Sequence, residues 1–134
     1  VWIRRDLRLK DHRPLEHASH SGAPVAICFI FDPNILAGLP RDDRRLTFIH
    51  RSLAEIDERL RAQGSRLIVH HGNPTEEIPR IAAALGVEQI FTSEDYEPYA
   101  KQRDASIRGL VGVKDHVVFS GGEINNQVGE PYRV

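Results

Sequence analysis

The chain has 134 residues, the usual size of one domain, and its content of 40% apolar and 28% charged residues is typical of a folded globular protein. Its 18 basic and 19 acidic residues give a formal net charge of -1, which excludes a strong overall attraction to nucleic acid or to a membrane surface. The single cysteine excludes an internal disulfide and fits a reducing compartment. The longest apolar stretch, residues 24–31, is too short to span a bilayer, so we expect a cytoplasmic protein without a membrane partner.

The first half of the chain predicts two strands and two helices. The β-prone residues 1–3 precede a charged loop, and a short helix is expected over about 13–19. Seven apolar residues, 25–31, stand between Pro24 and a turn, which indicates a strand buried on both faces, as in parallel sheets. Apolar residues then recur at spacings of three and four, which predicts a long amphipathic helix that ends at Gly64: Leu46, Ile49, Leu53, Ile56 and Leu60.

The second half continues the alternation of strands and helices. Residues 66–69 predict the third strand, and Asn73 followed by Pro74 predicts the N-cap and first turn of the next helix. Residues 89–92 predict the fourth strand, a helix is expected over about 99–110, and residues 116–119 predict the fifth strand. We expect residues 120–134 to form an exit segment toward a further domain.

This alternation predicts an α/β domain over residues 1–119, with a five-stranded parallel sheet in a Rossmann-like, doubly wound, three-layer sandwich. In such folds ligands bind outside the carboxyl ends of the strands. Four polar loops are expected at that edge, namely residues 4–6, 32–34, 70–73 and 93–97.

Several common site chemistries are excluded by the motifs that are missing from the sequence. There is no phosphate-binding Walker loop, no G-x-G-x-x-G after the first strand and no G-x-S-x-G nucleophile elbow. His70 and His71 are neighbours at a strand end and are expected to point to opposite sides, so we predict no metal site. Gly121-Gly122 is expected to be a turn.

Residues 2–11 read Trp-Ile-Arg-Arg-Asp-Leu-Arg-Leu-Lys-Asp, which resembles the W-F-R-x-D-L-R-x-x-D opening of the DNA photolyase/cryptochrome family. Four later segments, residues 29–33, 45–53, 95–104 and 129–134, resemble that family in the same order. The resemblance covers the whole chain, is closest to bacterial DNA photolyases, and concerns only the family's N-terminal domain.

The resemblance implies that this domain binds a light-harvesting antenna chromophore, while a second, helical domain binds FAD and damaged DNA. The parent protein would be a DNA photolyase, a carbon–carbon lyase that repairs pyrimidine dimers under blue light. It implies no catalytic residue in this chain, and we expect the isolated domain to be inactive. Both ends of the chain look cut, so we expect an excised domain.

By the same resemblance the antenna contacts would be Arg5, Phe31, Asp32, Arg45, Ile49, Asp95 and Glu97. Apolar side chains can wall a flat ring, arginines can stack on it or bind phosphate, and carboxylates can accept its hydrogen bonds. Folate-binding bacterial members have Asn-Glu where this chain has Tyr99-Ala100, which favours FMN or a deazaflavin over a folate. His12 stands where members often have asparagine, at a helix start, and we expect little effect on the pocket.

Plainer roles remain open for several of these residues. Arg4, Arg5, Asp6, Arg8 and Asp11 could form an ion-pair network that closes the sheet edge, an alternative that applies most to Asp6, Arg8 and Asp11, while Arg5 is favoured as a ligand contact. We expect Phe29 and Phe31 to lie on alternate faces, so that only Phe31 lines the site. Two further functions also remain open: the same domain of a cryptochrome photoreceptor, and a stand-alone nucleotide-binding α/β protein.

Overall fold

Two pairs of parallel strands form the framework of the computed structural model, which describes residues 1–119 and 123–130. Strand β1 (Ile27–Phe31) pairs with β2 (Leu67–His71), and β3 (Ile90–Ser93) pairs with β4 (Leu110–Val113). Residues 1–3 lie between the two sheets. The backbone N–H of Ile3 donates to Cys28 of β1, and that of Trp2 donates to Phe91 of β3, both at 2.9 Å.

Five helices connect and cover these strands: α1 (Arg13–Ser19), α2 (Pro33–Leu36), α3 (Arg44–Arg61), α4 (Pro74–Leu85) and α5 (Pro98–Ala105). Three of them begin with an acidic or amide residue whose side-chain oxygen accepts a backbone N–H two residues later, as N-caps do: Asp32 for α2, Asp43 for α3 and Asn73 for α4. The predicted cap and first turn of α4 are thereby confirmed. Helix α2 was not predicted.

The core has two parts, one on each face of the strands. Cys28 and Ile30 of β1 pack with Ile78 and Ile81 of α4. The alternate residues Ile27 and Phe29 pack on the other side with Leu53 and Ile56 of α3, in a second cluster. Strand β1 is therefore buried on both faces, as its apolar run predicts, and helices cover both sides of the strands.

The prediction for the last helix and the last strand is wrong. Within residues 1–119 and 123–130 the last strand is β4, residues 110–113, and no strand forms over 116–119. The helix predicted to reach residue 110 ends at Ala105, and Gly109 then adopts a positive φ of 78° directly before β4. The sheet also differs from the predicted five strands: in the described part of the chain it is observed as two two-stranded sheets, and an isolated bridge joins Trp2 to Cys28.

The expected exit segment is described only in part. Gly121-Gly122 and the last four residues of the segment 129–134 lie outside the described residues. Within the described part of the chain, no helix combines the length and the apolar character that a membrane crossing requires.

Candidate functional site

Three of the four predicted loops meet at the carboxyl ends of the strands. The hydroxyl of Ser93, at the end of β3, donates to Asp6 Oδ2 at 2.6 Å, and the hydroxyl of Tyr99 donates to Asp32 Oδ2 at 2.6 Å. In the fourth loop the His70 side chain contacts α4 instead, with Nδ1 2.7 Å from Glu77, while the backbone N–H of Gly72 donates to the Phe31 carbonyl at the end of β1 at 3.0 Å. Within residues 1–119 and 123–130, no three His, Cys, Asp or Glu side chains are placed to share a metal ion.

Arg5, Asp95 and Glu97 form an ion cluster at this edge, so the structure brings three of the seven predicted contacts together. The guanidinium Nη2 of Arg5 lies 2.7 Å from Glu97 Oε1 and 3.8 Å from Asp95 Oδ2. The hydrogen bond with Glu97 raises the pKa of Arg5, against a smaller opposing effect of partial burial. The Arg5 side chain remains 66% exposed, so its charge is accessible to a ligand.

Asp32 is buried, and both of its carboxylate oxygens are engaged within the protein. Its Oδ1 accepts the backbone N–H of Asn34 at 2.9 Å and caps α2, while its Oδ2 accepts the Tyr99 hydroxyl. The guanidinium of Arg103 lies 3.7 Å from Oδ2. Burial of the phenol and its hydrogen bond to Asp32 raise the pKa of Tyr99, in that order of importance. Asp32 therefore fixes the geometry of its neighbours.

Arg103 and Asp104 of α5 contact the opening segment of the chain at this edge. The sequence analysis assigned no role to either residue. Arg103 is 6% exposed, and its guanidinium carbon lies 4.7 Å from the Trp2 ring centroid and 5.5 Å from that of Tyr99. Asp104 accepts hydrogen bonds from both Arg103 and Arg4 at 2.8 Å. The available signal was spacing, because Arg103 stands three residues after the buried Ala100 and four residues before the buried Ile107.

Phe31 and Ile49 form an apolar wall beside Asp32. Phe31 is half-buried, stacks on His50 with 5.0 Å between ring centroids, and meets Phe29 edge-on at 4.9 Å. Ile49 packs against the same core cluster. The expectation that Phe29 and Phe31 lie on alternate faces is wrong, because residues two apart in a strand share a face.

Arg45, in the first turn of α3, forms an ion pair with Asp43, the N-cap residue of the same helix. Its guanidinium Nη2 lies 2.6 Å from Asp43 Oδ2, and its side chain is 70% exposed. The hydrogen bond from Arg45 lowers the pKa of Asp43. No contact joins Arg45 to the Arg5 cluster among the hydrogen bonds and ion pairs of the described residues, so the geometry supports a helix-start role and leaves its charge exposed to solvent.

The expected ion-pair network of the opening loop exists with different partners. Asp6 lies 2.7 Å from His12 and accepts from Ser93, whereas Arg8 pairs with Asp115 at 2.6 Å. Arg8 reaches Asp11 only through the backbone carbonyl, at 2.8 Å. The loop residues therefore do take part in ion pairs, but their partners stand outside the loop segment 4–11.

A small hollow lies beside the Arg5 cluster at the carboxyl edge. The hollow lined by Arg4, Arg5, Ser93, Asp95 and their neighbours has a volume of only about 10 Å³. A larger cavity of about 410 Å³ lies at the amino ends of the strands, and its walls are mostly apolar side chains of α4 and of the segments before β1 and β3. None of the seven predicted contacts lines this larger cavity.

All of residues 1–134 match the family described as DNA photolyase. The chain is 32% identical to the deoxyribodipyrimidine photo-lyase of Synechococcus and 37% identical to that of Halobacterium salinarum, over 99% of its own length and 29% and 31% of theirs. It is also 38% identical to Cryptochrome-2 of Gallus gallus, over 79% of this chain and 18% of that protein. The chain thus spans about a third or less of the length of these relatives.

Among solved structures, an archaeal photolyase from Sulfolobus tokodaii superposes with a TM-score of 0.75 at 30% identity, over 93% of this chain and 31% of that one. That structure is described as holding two FAD molecules, with the implication of a novel light-harvesting cofactor.

Proposed function

Since the chain belongs to the DNA photolyase family, we propose that it is the light-harvesting, antenna-chromophore-binding domain of a deoxyribodipyrimidine photolyase. One observation carries this proposal beyond the family match: exposed cationic and carboxylate groups, those of Arg5 and Glu97, meet at the carboxyl edge of the strands. That edge is where parallel α/β folds bind their ligands.

The parent protein would carry out the repair reaction in its other domain. We expect a helical domain of the same chain to hold FAD and the damaged DNA, because this chain spans only 29–31% of its photolyase relatives. The parent enzyme would be a carbon–carbon lyase acting on pyrimidine dimers flipped out of the duplex. The isolated domain would contribute light absorption and no repair.

The residues at the edge suit a planar ligand that carries polar or phosphate groups. Phe31 and Ile49 would contact the ring, Arg5 and Arg45 would bind phosphate or stack, and the two carboxylates of the Arg5 cluster would accept hydrogen bonds. Asp32, the seventh predicted contact, already has both oxygens engaged. The bound group would absorb blue light and pass its energy to the flavin.

The small volume of the hollow affects how such a ligand would bind. The hollow beside Arg5 and Asp95, of about 10 Å³, cannot enclose a ring system, so a chromophore bound there would lie across its opening and remain partly exposed in the isolated domain. The ligand would also have to replace or share the ion pair between Arg5 and Glu97. That pair is exposed, so its rearrangement costs little free energy. FMN or a deazaflavin remains favoured over a folate.

The sheet of the parent protein would be a single doubly wound sheet in the order β2, β1, residues 1–3, β3, β4. The backbone hydrogen bonds from Ile3 to Cys28 and from Trp2 to Phe91 support this order. The point where the strand order reverses then lies at residues 1–3, directly before Arg4 and Arg5, which is where a ligand crevice is expected.

Titration of the purified 134-residue domain with FMN, a deazaflavin and a folate would test the proposal. We expect saturable binding of FMN or the deazaflavin, weakened several-fold in Arg5→Ala. Arg59→Ala is the matched control, because Arg59 is a similarly exposed arginine in an ion pair with Glu55 on the helix surface. Failure of all three chromophores to bind would refute the antenna proposal.

The alternative is the same domain in a cryptochrome, a light sensor without repair activity. The 38% identity to Cryptochrome-2 of Gallus gallus is the observation that supports it. Repair of dimer-containing DNA by the full parent protein under blue light would favour the photolyase. A parent that binds flavin and repairs no dimer would favour the cryptochrome.

A further inference from the structure

We propose that the exposed face of α3 formed by Arg44, Phe48 and Arg51, here called the α3 stripe, binds a single-stranded nucleic acid. Each arginine would bind a phosphate, and the phenyl ring would stack on the base between the two phosphates. This inference goes beyond the proposed antenna function and does not depend on it.

The three residues of the α3 stripe lie on one side of the helix. They follow one another at intervals of four and three residues, which places them one above the other in successive turns. Leu53 and Ile56, through which α3 packs on the core, lie on the opposite side by the same periodicity. The stripe therefore faces solvent, and Phe48 keeps 65% of its surface exposed there.

Both arginines of the α3 stripe are exposed, and neither side chain makes a hydrogen bond or an ion pair in the described part of the chain. Asp43 before the stripe and Glu55 after it are each engaged by another arginine, at 2.6 Å. The stripe therefore offers two free guanidinium groups to an anion from outside the protein, in a fork geometry that suits phosphate oxygens.

The first turn of α3 also favours a binding role. The helix dipole opposes cations near a helix N-terminus, yet this turn has no acidic residue and begins with Arg44 and Arg45. The charge of Arg45 is compensated by Asp43, whereas no acidic side chain of the described residues pairs with Arg44. The exposed phenyl ring of Phe48, one turn later, gains no stability from burial. A bound partner would compensate both the free cation and the exposed ring.

The order of groups along the stripe suits a single strand better than other anionic partners. Arg44 and Arg51 lie about 10 Å apart along the helix axis with Phe48 between them, which matches a base that has a phosphate on each side. The bases of a duplex are already stacked inside it and offer no free face to the ring. An acidic protein surface supplies negative charge without a flat ring, whereas a single strand supplies both.

The contact is expected to be local and weak. The net charge of -1 provides no long-range attraction to a polyanion, so binding depends on the stripe alone. We expect a dissociation constant on the order of 100 µM at low salt. In a parent protein that holds DNA through another domain, even a weak second contact would add to the total affinity, because the strand would already be close.

The test measures the fluorescence anisotropy of a labelled oligothymidylate of about ten nucleotides, titrated with the 134-residue domain at several salt concentrations. Arg44→Ala and Arg51→Ala should each weaken binding and reduce the slope of log K against log salt by about 0.7, the effect of one lost phosphate contact on a single strand. Phe48→Ala should weaken binding roughly tenfold and leave that slope unchanged, because stacking releases no counterions.

Two further variants and two further probes complete the experiment. Asp42→Asn should tighten binding by about twofold, because it removes a negative charge two residues before Arg44. Arg61→Ala is the matched control, since Arg61 is an exposed arginine of the same helix that is paired with Asp57, and it should leave the slope unchanged. A sugar–phosphate chain of the same length without bases should bind the unmodified domain as weakly as oligothymidylate binds Phe48→Ala.

Three results would overturn the proposal. The first is the absence of saturable binding of oligothymidylate at low salt, and the second is an equal change of slope in Arg61→Ala and Arg44→Ala. The third is equally tight binding of a glutamate peptide of the same charge, which would assign the stripe to an acidic protein partner. None of these results bears on chromophore binding, so the antenna function is tested separately.

Discussion

His12 uses both ring nitrogens to join the opening loop to the first helix. Its Nε2 lies 2.7 Å from Asp6 Oδ2, and its Nδ1 accepts the backbone N–H of Leu15 at 3.1 Å, which caps α1. Because Nδ1 accepts a hydrogen bond, the proton of the neutral ring is on Nε2, the nitrogen that lies beside Asp6. Asp6 also accepts from the Ser93 hydroxyl and from the Arg4 backbone N–H, both at 2.6 Å.

These bonds make stability depend on pH through Asp6. Burial by itself would raise the pKa of Asp6, but the hydrogen bonds from His12, Ser93 and the Arg4 backbone outweigh it and hold that pKa well below its usual range. The unfolded chain therefore takes up a proton at a higher pH than the folded chain does. The stability contributed by Asp6 should be complete above about pH 5 and should fall as the pH is lowered further.

Asp6→Asn should lower the free energy of unfolding at pH 7 by about 2 kcal/mol, because it removes a buried, hydrogen-bonded charge. It should also flatten the decline of that free energy with acid. Urea unfolding at a series of pH values would measure both effects. The control is Asp11→Asn, since Asp11 is exposed on the same loop, and its left-handed backbone, with φ of 50°, is one that asparagine tolerates. Equal acid profiles for Asp6→Asn and the unmodified domain would contradict the role given to Asp6.

The two bonds of His12 can be separated by substitution. His12→Ala should lose both the cap and the contact with Asp6, and we expect it to destabilise the domain by about 2–3 kcal/mol. Asparagine is a good N-cap with a shorter side chain, so His12→Asn should recover about 1 kcal/mol of that loss. Thermal and urea unfolding of both variants would show the difference. Identical stabilities would mean that the cap contributes nothing measurable.

Sequence patterns predicted the elements whose cause is local. The apolar run of β1, the three-and-four spacing of α3 and the Asn73-Pro74 start of α4 each depend on neighbouring residues, and all three are confirmed. Strand β4 was missed because Leu110-Val111-Gly112-Val113 has a glycine and two exposed positions, and only its pairing with β3 makes it a strand. Long-range pairing of this kind leaves little trace in local sequence.

In the candidate site, too, some features follow from the local sequence and others depend on contacts between distant segments. Parallel topology predicts that polar loops meet at one edge, and Arg5, Asp95 and Glu97 do meet there. Which groups pair within the edge depends on side-chain packing across distant segments. The pairing of Asp32 with Tyr99, 67 residues apart, could not be predicted from spacing.

Asp104 should matter more for stability than a surface carboxylate does. It joins Arg4 and Arg103, whose side chains are 11% and 5% exposed, so its loss leaves two nearly buried cations with one partner fewer. Asp104→Asn should lower the free energy of unfolding by about 3 kcal/mol. Glu55→Gln breaks the exposed Glu55–Arg59 pair of α3 and should change it by less than about 0.5 kcal/mol. Chemical unfolding at neutral pH would compare the two, and equal effects would show that the Asp104 network adds nothing to stability.

Gly109 controls the turn into β4 through both its backbone angle and its surroundings. Its φ is 78°, and a Cβ atom there would lie 2.6 Å from the backbone oxygen of Glu88, which cannot move aside as a flexible side chain could. Its own carbonyl accepts the backbone N–H of Ile90 at 3.0 Å, so a shift of Gly109 would disturb the pairing of β3 with β4.

Gly109→Ala should therefore cost more than the backbone angle alone. Gly86 provides the matched control, because it has a φ of 65° and a Cβ atom added there would meet no other atom within 4 Å. Gly86→Ala should lower the free energy of unfolding by about 1 kcal/mol from its left-handed backbone, and Gly109→Ala by about 3 kcal/mol. Hydrogen exchange should also show faster opening at Ile90 in Gly109→Ala, because its N–H bonds the displaced carbonyl. Equal losses in the two variants would mean that the chain around Glu88 relaxes freely, and that the contact does not fix the register of β4.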